Sequence, residues 1–202
     1  MSRPATGAER RARADARKAE RAEVQDPAVV LDAAAAFLAV RPRSIDETRR
    51  RLRHLGYPPV PVEIVLERLI EFGYLDDEAF ARAWVESRDR SRPRGASALR
   101  RELALKGVER PVVDAVLDER DHVAEEARGG ADDGAATPDG MAADRLLARK
   151  AAVLGRETDP RKRRQKAYAL LARHGFSPDV IAAALGRAAT DDSDLDSSIG
   201  PD

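Results

Sequence analysis

Cysteine is absent from this 202-residue sequence. Disulfides, zinc–thiolate centres and thiol catalysis go with it, and its absence is compatible with a reducing compartment. No apolar run approaches the roughly 20 residues needed to cross a bilayer. The start, MSRPATGAERRARADARKAERAE, lacks the apolar centre of a secretory signal. The expectation is a soluble, cytoplasmic protein with no membrane partner. Phosphate loops, Gly-x-Gly-x-x-Gly turns and Gly-x-Ser-x-Gly elbows are missing too. Histidines are scarce and isolated. His54 and His174 fall in the last turns of helices, where an imidazolium favours the negative end; His122 has no partner pattern. Asp76, Asp77 and Glu78 could be imagined as a metal cluster, but acids at a helix start are explained by the dipole. No catalytic residue, metal, cofactor or small-molecule substrate is therefore expected, and the chain does not read as an enzyme.

Aromatic residues make up only 4% of the chain, whereas charged residues make up 36%. Arg and Ala with Leu and Val as apolar filler suit helices and argue against a β-sandwich. The formal net charge is zero, yet the charges are segregated. Residues 145–173 hold ten Lys/Arg against two Asp/Glu, and residues 111–140 hold two against nine. Such polarity matters for binding even when the sum vanishes.

Taken in order, residues 1–26 form a basic Arg/Ala-rich arm, a frayed helix or a disordered segment with no core face. Residues 27–73 read as a first three-helix repeat. Val30, Leu31, Ala34, Phe37 and Leu38 share one helix face, Ser44 and Glu47 form a capping box before the second helix, and Val62, Val65, Leu66, Leu69 and Ile70 line the third. Residues 74–120 repeat the plan, with Asp76 as a cap. Residues 121–140 read as an acidic flexible linker. A third repeat spans 141–188, with Asp159-Pro160 opening its middle helix, and 189–202 reads as an acidic disordered tail. The expected fold is all-α, an elongated array of three tandem three-helix repeats with flexible ends.

Three glycines register the repeats: Gly56, Gly107 and Gly175. Leu52, Leu103 and Leu171 stand four residues before them, and Tyr57, Val108 and Phe176 one residue after. A Schellman helix end requires this arrangement, because glycine takes the left-handed conformation and the next apolar residue packs back on the last turn. Leu69, Gly73 and Tyr74 repeat the device. The anchors lie 51 and 68 residues apart, so the array is degenerate rather than a fixed-period solenoid.

Each middle helix carries cations before its glycine: Arg49, Arg50, Arg51 and Arg53; then Arg100, Arg101 and Lys106; then Arg161, Lys162, Arg163, Arg164 and Lys166. If the repeats stack, these groups form a stripe that attracts a polyanion, either DNA phosphates or an acidic protein surface. The alternative is a set of solvated arginine-rich faces. No aromatic residue interleaves with them along the sequence, so base stacking is not expected. Phe72, Tyr74, Phe80 and Trp84 read as core of the second repeat.

The run Gly73-Tyr74-Leu75-Asp76-Asp77-Glu78-Ala79-Phe80-Ala81, followed by Arg88, Arg94-Gly95 and Arg101-Glu102-Leu103-Ala104-Leu105-Lys106-Gly107-Val108, resembles the middle of the bacterial RecX family. Arg43-Ser44 before the second helix and the ending Arg173-His174-Gly175-Phe176 are also similar to that family, although Thr48 stands at a step that is usually hydrophobic. The resemblance covers about residues 30–188, apart from the linker. It implies tandem three-helix repeats and a regulator that binds the RecA recombinase filament, reaches DNA through the filament or directly, and modulates, by inhibition, ATPase and strand-exchange activity in recombination and repair. The long 121–140 insert, the arm and the tail depart from the family pattern. The competing reading is a helical DNA-binding protein that acts without RecA, such as a helix-turn-helix regulator, although no helix offers Asn, Gln and Arg at base-reading spacing.

Overall fold

The computed structural model describes residues 6–127 and 137–197. Among the described residues there are ten helices and no strand. The chain forms two compact units: residues up to Phe80 together with Lys106–Val108, and Ala81–Leu105 together with the residues from Glu109 onward.

In the first unit, α1 (Gly7–Ala22), α2 (Pro27–Leu38), α3 (Ile45–Leu55) and α4 (Pro59–Glu71) follow one another. Asp26 caps α2 by accepting from Ala28 N–H, with Pro27 in the first turn. Ser44 caps α3, accepting from Glu47 N–H at 3.0 Å. The second half of the expected capping box does not form, because the Glu47 carboxylate turns to Arg41 and Lys106 instead. Helices α2, α3 and α4 pack on one another around Val30, Ala34, Leu52, Tyr57, Val62, Val65, Leu66, Leu69 and Leu75. Truncating Leu52 here costs about 2–5 kcal/mol, the range for a fully buried leucine. Thr48 is fully buried as well. Its hydroxyl donates to the Ser44 carbonyl at 2.9 Å, so a polar residue is tolerated at that step.

The expected arm contains α1, opened by a full Thr6–Glu9 capping box. None of its residues is buried, but it is attached: Arg21 donates to the Leu55 carbonyl at 3.5 Å and lies 5.6 Å from the Tyr57 ring centroid.

The second unit holds most of α5 (Asp77–Ser91), then α6 (Ala96–Leu105), α7 (Arg110–Ala127), α8 (Pro138–Leu154), α9 (Pro160–Arg173) and α10 (Pro178–Ser197). Helix α6 packs on α7, and α7 on α8. Helices α8, α9 and α10 enclose Ala142, Ala143, Leu146, Ala167, Leu171, Phe176, Ile181, Ala184 and Leu185. The alanines let these backbones approach closely, leaving the larger side chains to fill the remaining space.

Helix takes up parts of the stretches expected to lack it. Helix α7 continues to Ala127 and α8 begins at Pro138, where Pro138 and Gly140 are buried and Thr137 caps Gly140 N–H at 3.1 Å. Only 128–136 of the expected linker lies outside the described residues. Helix α10 runs to Ser197, with no Gly or Pro between Arg187 and that point to stop it; 198–202 lies outside the described residues.

The aromatic cluster expected as core is split. Phe80 is buried, but Phe72 is 70% and Tyr74 73% exposed. Tyr74 N–H does close the helix end by donating to the Leu69 carbonyl at 2.8 Å, yet Leu75 takes the buried place. Trp84 is half-buried, with its indole N–H donating to Glu102 at 2.9 Å.

Candidate functional site

The left-handed residues among those described are Gly56, Gly73, Gly107 and Gly175. Leu52, Leu103 and Leu171 before the three repeat anchors are fully buried, and Tyr57, Val108 and Phe176 after them are buried. Three of these stops have a second job. Within the first unit, a Cβ on Gly107 would collide with the Asp46 side chain at the start of α3. Within the second, a Cβ on Gly175 would lie 2.5 Å from Ala98 N at the start of α6, and Gly95 N–H donates to the His174 carbonyl at 3.0 Å. Both units use one device: the N-terminus of a middle helix rests on a glycine stop later in the chain.

An aspartate completes each device. Asp77 accepts from Ile45 N–H at 2.9 Å, and Asp139 accepts from Ala96 N–H at 2.9 Å. Each satisfies an orphan donor and faces the positive end of the helix. Asp139 also accepts from Arg120 at 2.8 Å, while Arg120 holds Asp89 through two bonds of 2.9 Å. Burial works to lower the Arg120 pKa, but the hydrogen bonds and charges of Asp139 and Asp89 prevail and raise it. Arg149 donates to the Ser91 and Arg90 carbonyls at the C-terminus of α5. Gly56 receives α1 in the same manner, since a Cβ there would lie 2.7 Å from the Lys18 carbonyl oxygen. A Cβ on Gly73 would meet nothing within 4 Å.

Four charged residues of the motif, Arg88, Arg94, Glu102 and Lys106, are taken up in contacts within the fold. Glu102 accepts from Arg88 at 2.6 Å and from Trp84 at 2.9 Å, and Arg94 Nε lies 3.2 Å away. That last contact is a charge contact without hydrogen-bond alignment. The Arg88 guanidinium stacks 4.2 Å from the Trp84 ring centroid. Burial pushes the Glu102 carboxyl upward, but the bonds from Arg88 and Trp84 outweigh it and hold the carboxyl below its usual range. Glu47 is bonded by Arg41 at 2.9 Å and by Lys106 at 2.7 Å. Burial again pushes upward, and these two cations bring it from 4.5 to about 2.

The expected cationic surface is correspondingly reduced. Arg49 and Arg53 share Glu63 at 3.0 and 3.4 Å, Arg50 holds Asp46 at 2.9 Å, and Arg51 lies 5.8 Å from the Phe37 ring centroid. Arg100 holds Asp114 at 2.7 Å. Lys106 is a strut to Glu47 within the first unit, because the glycine stop beside it brings it to the start of α3. Lys166 pairs with Glu157 at 2.6 Å, and Arg164 donates to the Leu185 carbonyl at 3.5 Å. Arg163 lines, with Leu147, Ala151 and Leu154, a groove of ≈ 950 Å³ among α8, α9 and α10. Arg101, Arg161 and Lys162 are exposed, and no carboxylate lies within 4.0 Å of them among the described residues. Tyr168, which the sequence places with Leu170 and Leu171 in the apolar run toward Gly175, is instead 45% exposed and stands at helical spacing beside Arg161 and Arg164.

Among the described residues, no group of three His, Cys, Asp or Glu side chains suits a metal, and no helix is long and apolar enough to cross a membrane.

Comparison with known proteins identifies the repeats. Family models described as the first, second and third three-helix domains of RecX match residues 31–69, 76–117 and 142–185. Regulatory protein RecX of Prosthecochloris aestuarii is 38% identical over half of this chain and 66% of its own length. Regulatory protein RecX of Streptomyces coelicolor is 32% identical over 81% of this chain and 79% of its own. The crystal structure of RecX from Lactobacillus salivarius shares the fold with a TM-score of 0.64 at 17% identity, covering 80% of this chain and 95% of that one. With all three repeats matched in order and that extent of identity, the chain belongs to the RecX family of regulatory proteins.

Proposed function

We propose that this protein binds the RecA recombinase assembled on DNA and slows its ATP hydrolysis and strand exchange. The observation that carries the reading is the match of all three repeats, in order, to RecX domains. The mechanism is mechanical. Successive repeats engage neighbouring protomers, and a bound state that favours one protomer arrangement opposes the movement ATP turnover needs. Arg101, Arg161 and Lys162 offer cations not already paired with carboxylates of their own fold, and these are the first contacts assigned to the filament.

The test is co-precipitation with RecA, with and without single-stranded DNA and a slowly hydrolysed nucleotide. Retention that depends on RecA is the expected result. Retention by DNA alone, to the same extent and with sequence preference, would replace the reading with that of a DNA-binding regulator independent of RecA.

A further inference from the structure

The geometry points to a single-stranded DNA contact on the outer face of α9, where Tyr168 stacks on a base and Arg161 holds a flanking phosphate, with Lys162 on the adjoining face adding attraction for the strand. The three middle helices differ in how their cations are occupied. In α3, Arg49, Arg50 and Arg53 are committed to carboxylates and Arg51 lies over the Phe37 ring, and in α6 Arg100 is committed to Asp114 while Arg101 stands exposed on a helix without an aromatic residue of the kind α9 supplies. In α9, Arg161 and Lys162 have no ion-pair partner among the described residues, and Arg164 spends its charge on a backbone carbonyl. The nearest acid in sequence, Asp159, is occupied as the N-cap and accepts from the backbone N–H groups of Arg161 and Lys162. Glu157 is held by Lys166. This helix end therefore presents cations to solvent.

The aromatic residue supplies what a plain cationic patch lacks. Arg161, Arg164, Gln165 and Tyr168 stand at helical spacing, and with Ala182 and Leu185 of α10 they line a shallow depression of ≈ 390 Å³. A half-exposed phenol beside guanidinium groups, with apolar atoms as its floor, is the combination that takes an unpaired base with its phosphates. A duplex keeps its base faces stacked and offers this ring nothing. The inference deepens the filament reading by naming a strand contact, but its test omits RecA, so either can fail alone.

The experiment is fluorescence anisotropy of a labelled oligothymidylate with the full chain at low salt. Expected results are binding that weakens with salt, a loss of at least about tenfold in R161E/K162E, and a loss of about five- to hundredfold in Tyr168→Ala with recovery in Tyr168→Phe. Both altered sites are exposed, and an unchanged circular dichroism spectrum would show that the helices persist. Absence of binding by the native chain, native affinity in either variant, or equal affinity for a duplex of the same length would overturn the proposal. Equal competition by polyglutamate would also overturn it, by reducing the site to a general attraction for polyanions.

Discussion

Glu102 gathers Arg88, Arg94 and Trp84 around one carboxylate. Removing it leaves two guanidinium groups, 18% and 31% exposed in their side chains, and an indole N–H without their acceptor. Glu102→Ala is expected to cost about 1–3 kcal/mol, read as a lower urea midpoint at unchanged slope. Trp84→Ala removes a half-buried ring and is expected to fall below the about 3–5 kcal/mol of a fully buried aromatic. Glu47 gives a pH signature. Its carboxyl is lowered from 4.5 to about 2 in the fold, so its contribution is complete above about pH 4.5 and is lost as pH falls through that window toward 2. Thermal melts across this range should show the native chain losing stability more steeply than Glu47→Gln. Equal slopes would remove Glu47 as the source. These pairs were not legible in the sequence, because Glu47 and Lys106 lie 59 positions apart and only the fold makes them neighbours. The exposure of Phe72 and Tyr74 is hidden from the sequence for a related reason: apolar spacing marks a candidate core face but not whether anything covers it.

Helix ends are local chemistry, and they could be read from the sequence. Leu52-to-Tyr57 and Leu171-to-Phe176 carry their own stop, closed by Tyr57 N–H to the Leu52 carbonyl and Phe176 N–H to the Leu171 carbonyl, each at 3.3 Å. What rests against a stop is a tertiary fact and could not be read. It separates two otherwise similar substitutions. Gly73→Ala meets open space and is expected to lose about 1–2 kcal/mol from its left-handed backbone. Gly175→Ala bears that strain and also presses on the start of α6, so its loss should be clearly greater in denaturant unfolding of the second unit. Helix α1 lies against Gly56 through Lys18 with no buried residue of its own. Deleting residues 1–23 should lower the melting temperature by a few degrees while the three-helix core of the first unit stays cooperative.

For the molecule as a whole, the sequence reads as three cognate repeats, and the family comparisons match a RecX domain to each. Their basic helices are not equivalent. Most cations of the first two neutralise acids of the same fold, whereas the third leaves Arg161 and Lys162 exposed without a paired acid. On the proposed filament reading, binding would rest on fewer residues than the arginine content suggests, and its salt sensitivity should be modest. The most direct measurement is RecA-catalysed ATP hydrolysis on single-stranded DNA as the protein is added from substoichiometric amounts upward. The account predicts a rate that falls before stoichiometry is reached, with R161E/K162E shifting the fall to higher concentration. A rate unchanged at every ratio would contradict it.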